Sequence, residues 1–128
     1  MTNSQMFRPS RRTLLALTAA ALVPTAAFAH ASLAKSVPAA GSTVAPALKA
    51  VELTFNEPVE AKSSGAEIVG SDNHAAPAGP ATSKAGDAAT LVIPLSKPLA
   101  LGAYTVHWHA VSRDGHRVTG AYRFSVKA

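Results

Sequence analysis

The chain has 128 residues, which is enough for one domain, and it carries a formal net charge of +5 at pH 7. It contains no cysteine, which excludes disulfides, thiolate metal sites and thiol catalysis. Its two methionines are Met1 and Met6, so the rest of the chain offers no sulfur ligand to a soft metal.

The first predicted element is a secretory signal peptide over residues 1–29. Residues 1–12 carry three arginines and no acid, residues 13–28 are apolar, and Ala27-Phe28-Ala29 places small residues where a signal peptidase cuts. A membrane anchor is the alternative, but the apolar run is shorter than the roughly 20 residues that a spanning helix needs. Pro24 also interrupts the run. We therefore expect export, with cleavage after Ala29.

Export and cleavage would leave a periplasmic protein that starts at His30. The pair Arg11-Arg12 resembles a twin-arginine signal, but paired arginines also occur in ordinary secretory signals, so the export route stays open. From His30 onward the chain has nine Lys or Arg and seven Asp or Glu, which leaves a net charge of +2. No run of basic residues occurs there, so nucleic-acid binding is not indicated.

Short strands and turns are predicted along this exported part. Val51, Leu53 and Phe55 alternate with polar residues, which is typical of a strand with one buried face. The same pattern and β-branched runs predict strands at 51–55, 67–69, 90–93, 104–109 and 122–127, turns at 38–42 and 98–102, and a loop from Ser71 to Asp87. This arrangement indicates an all-β, immunoglobulin-like sandwich or barrel with no disulfide. Five aromatic side chains are expected in its core: Phe55, Tyr104, Trp108, Tyr122 and Phe124.

His30 is the first candidate metal ligand, because signal cleavage would make it the amino-terminal residue. Its α-amine and its imidazole Nδ1 could then close one chelate ring on a metal ion. Their ordinary pKa values, near 8 and 6.5, make deprotonation by a metal inexpensive at neutral pH. The alternative is that cleavage merely happens to fall before a histidine.

Asp114-Gly115-His116 is the second candidate. In an extended segment, residues two apart point to the same side, so the carboxylate and the imidazole could aim at one point. Gly115 between them lets the chain bend without a side chain in the way. Asp-Gly is equally the signature of a plain turn, and that interpretation stays open.

Together these residues offer one amine nitrogen, two imidazole nitrogens and one carboxylate oxygen. Four such donors near one plane suit Cu(II), which prefers tetragonal geometry and stands at the top of the divalent affinity order. Zinc would take similar ligands in a tetrahedron, whereas calcium and magnesium would need more oxygens.

His107 and His109 are further candidates, since they share one face of a predicted strand, opposite Trp108. They are expected to be exposed polar residues on a strand that buries its other face. A secondary metal site, or hydrogen bonding to a ligand carboxylate such as Asp114, are the alternatives.

Four segments of the chain resemble the CopC-type family of periplasmic copper-resistance proteins, and together they span the exported part. They are His30-Ala31-Ser32-Leu33, Pro38-Ala39-Ala40-Gly41-Ser42, Leu53-Thr54-Phe55-Asn56-Glu57, and the long block from Gly102 to Gly120 that contains Tyr104-Thr105-Val106-His107-Trp108-His109 and Ser112-Arg113-Asp114-Gly115-His116. Residues 30–128 are therefore expected to form one CopC-like copper-binding domain.

The resemblance implies a cupredoxin-like or immunoglobulin-like Greek-key fold and Cu(II) ligands at His30, Asp114 and His116. It also makes Glu57 a weaker candidate, placed beside the metal. Some members carry a methionine-rich loop that binds Cu(I), but the matching region 65–78 has no methionine, so no Cu(I) site is expected. His74 in that region is expected to be a solvated loop residue.

The expected function is a monomeric carrier or buffer of Cu(II) for copper homeostasis or resistance, not an enzyme. The resemblance implies an inner-membrane CopD-type protein as a partner. One alternative is a copper-dependent oxidative enzyme, because copper monooxygenases also use an amino-terminal histidine. Another is an adhesion or scaffolding sandwich without metal.

Overall fold

Eight strands form within residues 31–128, the part of the chain that this computed structural model describes. In chain order they are β1 (Leu33–Val37), β2 (Thr43–Val44), β3 (Ala50–Phe55), β4 (Gly65–Gly70), β5 (Thr82–Lys84), β6 (Asp87–Pro94), β7 (Gly102–Val111) and β8 (Arg117–Val126). One 3-10 turn, Ala61–Ser63, is the only helical element of this range. None of the described helical segments has the length and apolarity to cross a bilayer.

The strands pair into two four-stranded sheets that pack face to face. The first sheet has the order β1-β3-β6-β5, and the second has the order β2-β8-β7-β4. All pairs are antiparallel except β2 with β8. Non-consecutive strands such as β3 and β6 are neighbours, as in Greek-key sandwiches. The predicted all-β, immunoglobulin-like fold without a disulfide is thus confirmed.

Alternating burial along the strands places the core between the sheets. On β3, Val51, Leu53 and Phe55 are buried, while the residues between them are partly exposed. On β7 the buried side chains include Val106 and Trp108, and the Trp108 ring meets the Phe55 ring edge-to-face at 5.3 Å. Each fully buried aliphatic side chain here contributes about 1.5–3 kcal/mol to the free energy of unfolding.

Two predictions about the elements were wrong in detail. The segment from Ser71 to Asp87 is not a continuous loop, because it contains β5 and the first residue of β6. All three residues of β5 are exposed at a sheet edge. The strand therefore lacks the alternation of apolar and polar residues from which a strand is predicted. Tyr122 is only half-buried, whereas the other four aromatics predicted for the core are buried.

Candidate metal centre

The tripeptide Asp114-Gly115-His116 lies in a tight turn between β7 and β8. The Gly115 N–H donates to the Ser112 carbonyl at 2.9 Å, and the Ser112 N–H donates to the His116 carbonyl at 2.9 Å. Gly115 has φ of +88°, a backbone conformation that favours glycine. The backbone here is therefore a turn, as the Asp-Gly pair indicates, and the extended conformation considered for this segment was wrong.

The turn nevertheless brings the two candidate ligands together. His116 Nδ1 lies 2.8 Å from Asp114 Oδ2, and the His116 backbone N–H donates to Asp114 Oδ1 at 3.3 Å. Both side chains reach solvent, with 60% of Asp114 and 56% of His116 exposed. One carboxylate and one imidazole are thus held side by side at the surface, where an ion can approach them.

Neighbouring hydrogen bonds keep the Asp114 carboxyl group ionised. The hydroxyl of Ser112 donates to Asp114 Oδ1, and together with the donors on His116 it lowers the pKa of Asp114 to about 2. Ser112 itself is only 2% exposed. Ser112 was not predicted as a site residue, because serine is common in turns and its role here depends on a contact formed only in the folded turn.

The beginning of the described chain lies at the same end of the sandwich. Ala31 is buried, and Ser32 is held by two hydrogen bonds, from its N–H to Asn56 Oδ1 at 2.8 Å and from the Asn56 N–H to its carbonyl at 3.0 Å. After Asn56 the chain crosses to the second sheet, where Val59 forms a bridge with Ser112. A short continuous path therefore joins Ala31 to the Asp-x-His turn.

His30 and the segment predicted as a signal peptide, residues 1–29, lie outside the described residues. Within residues 31–128, no three histidine or acidic side chains are close enough together to hold a metal ion. Glu57 lies near Asp114, since the two line one surface depression with Pro58 and Arg113. It does not complete a three-ligand cluster with Asp114 and His116.

His107 and His109 point away from the core on the outer face of the second sheet. Strand pairing places His107 opposite Glu67 and His109 opposite Gly65, and the His109 ring lies over Gly65. Burial, with a smaller effect of Arg117, lowers the pKa of His109. The hydrogen bonds that the described structure gives to Asp114 come from Ser112 and His116 instead.

His74 belongs to a second turn with a similar local arrangement, Asp72-Asn73-His74. Its N–H donates to Asp72 Oδ1 at 3.0 Å, and its Nδ1 lies 3.5 Å from Asp72 Oδ2. This turn follows β4 where β4 meets the start of β7. It is therefore roughly 25 Å along β7 from the other turn, at about 3.4 Å per residue. With 84% of its side chain exposed, His74 is the solvated loop residue that the sequence predicts.

Comparisons with known proteins agree in fold and in family. The CopC domain family matches residues 33–127. The chain is 43% identical over 118 residues to protein YobA of Escherichia coli strain K12, covering 92% of this chain and 95% of YobA. It is 40% identical over 111 residues to copper resistance protein C of Pseudomonas syringae pv. tomato, covering 83% of this chain and 87% of that protein.

Among solved structures, CopC from Methylosinus trichosporium OB3b superposes with a TM-score of 0.70 at 33% sequence identity. The superposition covers 77% of this chain and 94% of that one. The sandwich, the long β7–β8 hairpin and these matches together lead to one assignment: this chain belongs to the CopC domain family.

Proposed function

We propose that this protein binds Cu(II) in the periplasm and carries or buffers it for copper homeostasis or resistance. The observation that carries the proposal is the preformed Asp114–His116 pair at the end of the sandwich where the described chain begins. The proposal is supported by the similarity to a protein named copper resistance protein C. Cleavage after Ala29 would supply the remaining donors, the α-amine and imidazole of His30.

The positions of Ala31 and Ser32 support the proposal that His30 joins Asp114 and His116 in binding the ion. Ser32 is fixed to Asn56, and Asn56 lies three residues before Val59, which bridges to Ser112. Since His30 precedes Ala31 in the chain, we propose that cleavage after Ala29 lets its amine and imidazole join this pair. The donors would then be three nitrogens and one oxygen, a set that suits the tetragonal preference of Cu(II).

Binding of one ion by both Asp114 and His116 replaces the hydrogen bond that now joins them. The carboxylate already carries its negative charge, so the metal displaces no proton from it. Four donors from one chain leave few positions on the ion for a substrate. We therefore propose that the protein acts as a monomer that binds Cu(II) and passes it to an inner-membrane CopD-type protein. We propose that it does not catalyse a reaction.

The test is a Cu(II) competition titration of the protein that begins at His30, with a chromophoric chelator as the competitor. Asp114→Asn and His116→Ala are each expected to weaken affinity by at least about tenfold, roughly 1.4 kcal/mol, because the first replaces a charged oxygen donor by a neutral one and the second removes a nitrogen donor. His74→Ala is the matched control, since His74 has a comparable aspartate neighbour at the other end of the sandwich.

The control is expected to leave affinity unchanged. Equal affinities for wild type, Asp114→Asn and His116→Ala would overturn the proposed site. Loss of affinity in His74→Ala alone would instead move the binding site to the other turn.

A further inference from the structure

Ser112 is a buried residue that holds both candidate ligands of the turn at once. Its hydroxyl donates to the carboxylate of Asp114, and its backbone N–H donates to the carbonyl of His116 at 2.9 Å. The hydroxyl oxygen also lies 3.3 Å from the His116 carbonyl oxygen. Because only 2% of Ser112 is exposed, little water competes for its hydroxyl.

Ser112 also connects the turn to the segment that holds the beginning of the described chain. It forms a β-bridge with Val59, and the Glu60 N–H donates to the carbonyl of Val111, the residue before Ser112, at 2.8 Å. Ser112 thus lies where three parts of the chain meet: the Asp-x-His turn, the end of β7, and residues 56–59, which cross from the first sheet to the second. A side chain in this place can set the distance between the turn and the amino-terminal donors.

We propose that Ser112 is a positioning residue for Cu(II): its hydroxyl fixes the Asp114 carboxylate in the orientation in which the carboxylate binds the ion. This inference rests on the proposed function, since it assumes that Asp114 is a ligand. Hydrogen-bond partners of metal ligands orient them and reduce the freedom lost on binding, and their removal typically costs about 10- to 100-fold in metal affinity. Nothing in the geometry requires Ser112 itself to touch the ion.

A purely structural role for Ser112 makes a different prediction, and Ser64 provides the comparison. Ser64 is also a buried serine, at 8% exposure, with its hydroxyl donating to the Glu60 carbonyl at 2.7 Å. It accepts the Val111 N–H at 2.9 Å, so it ties together the same end of β7. Its hydrogen bonds reach no candidate ligand, whereas those of Ser112 do.

The experiment compares Ser112→Ala with Ser64→Ala in the protein that begins at His30. Cu(II) affinity is measured by chelator competition, the copper coordination by EPR at one equivalent of Cu(II), and the fold by the melting temperature of the metal-free protein. Ser112→Ala is expected to bind Cu(II) about 10- to 100-fold more weakly and to change the copper hyperfine splitting. Ser64→Ala is expected to lower the melting temperature while keeping the wild-type affinity and spectrum.

Ser112→Thr keeps the hydroxyl and is expected to retain the wild-type EPR spectrum, which separates the hydroxyl from the packing of the site. The positioning role is overturned if folded Ser112→Ala binds Cu(II) with wild-type affinity and spectrum, or if Ser64→Ala shows the same losses. Absence of Cu(II) binding by the wild type would instead reject the proposed function, so the two failures are distinguishable.

Discussion

At the residue scale, the candidate centre depends on a carboxylate that its neighbours keep charged. The pKa of Asp114 is about 2 in the folded protein and near 3.8 in an unperturbed carboxyl group, chiefly because of the Ser112 hydroxyl and then His116. The ionised form therefore stabilises the fold at pH values above about 4. That contribution is lost as the pH falls from about 4 through about 2.

We predict that the side-chain carboxyl carbon of Asp114 titrates with a midpoint near pH 2 in the metal-free protein, followed by NMR. Ser112→Ala should raise this midpoint, because it removes the largest cause of the lowered pKa. Asp87 is the internal control, since its pKa is also lowered but by Thr90 and the Ala89 N–H, which Ser112→Ala leaves in place. An Asp114 midpoint that stays the same in Ser112→Ala would show that the hydroxyl does not act on this carboxylate.

Asp114 and His116 could be predicted from the sequence as candidate ligands, but the residues that hold them in place could not. Asp114 and His116 follow from a short motif whose two members are neighbours in the chain. Ser112 acts through a contact that forms only in the folded turn, and Asn56 through one that forms where the chain leaves the first sheet. Serine and asparagine are also common in any loop, so neither residue marks these contacts in the sequence. His30 stays a prediction, because it lies outside the described residues.

At the element scale, β7 and β8 form the longest hairpin of the described chain, and the candidate turn is its tip. Trp108 on β7 lies directly opposite Gly120 on β8, and the indole ring occupies the space that a side chain at 120 would need. A Cβ atom built on Gly120 would come within 2.6 Å of Trp108 Cε2. The glycine is therefore required by close packing in the middle of a strand.

Gly120→Ala is expected to lower the free energy of unfolding by about 1–3 kcal/mol, because the added methyl group overlaps the ring of a buried tryptophan. Chemical denaturation followed by fluorescence reports on this site, since Trp108 is the one tryptophan in the sequence. Thr119→Ala, an exposed change on the same strand, should stay within about 0.5 kcal/mol of wild type. Equal stability of Gly120→Ala and wild type would mean that the hairpin shifts to admit the methyl group.

Strands with an alternating buried face could be predicted from the sequence, but the exposed strand β5 and the very short strand β2 could not. The alternation along β3 and the inner part of β7 follows the burial that the structure shows. β5 is exposed throughout, and β2 is only two residues long, so neither shows the alternation of apolar and polar residues from which a strand is predicted. Their positions are set by the neighbouring strands they pair with and not by their own residues.

At the scale of the whole molecule, the sandwich brings distant parts of the sequence to one end. Ser32 is hydrogen-bonded to Asn56, and Val59, three residues further on, is bridged to Ser112, so Ser32 and Ser112 are linked at the same end of the sandwich although they lie far apart in the chain. This arrangement is held by an apolar core between the sheets and by hydrogen bonds within the chain. We infer that copper binds to a largely preformed end of the protein.

The role of the amino terminus in the copper site can be tested by a Cu(II) competition titration of two proteins, one that begins at His30 and one that retains Ala29 before it. Retaining Ala29 converts the α-amine of His30 into a peptide amide, which binds a metal poorly unless it loses its proton. We predict that the longer protein binds Cu(II) at least about tenfold more weakly, roughly 1.4 kcal/mol. Equal affinities would contradict it, because they would remove the amino terminus from the copper site.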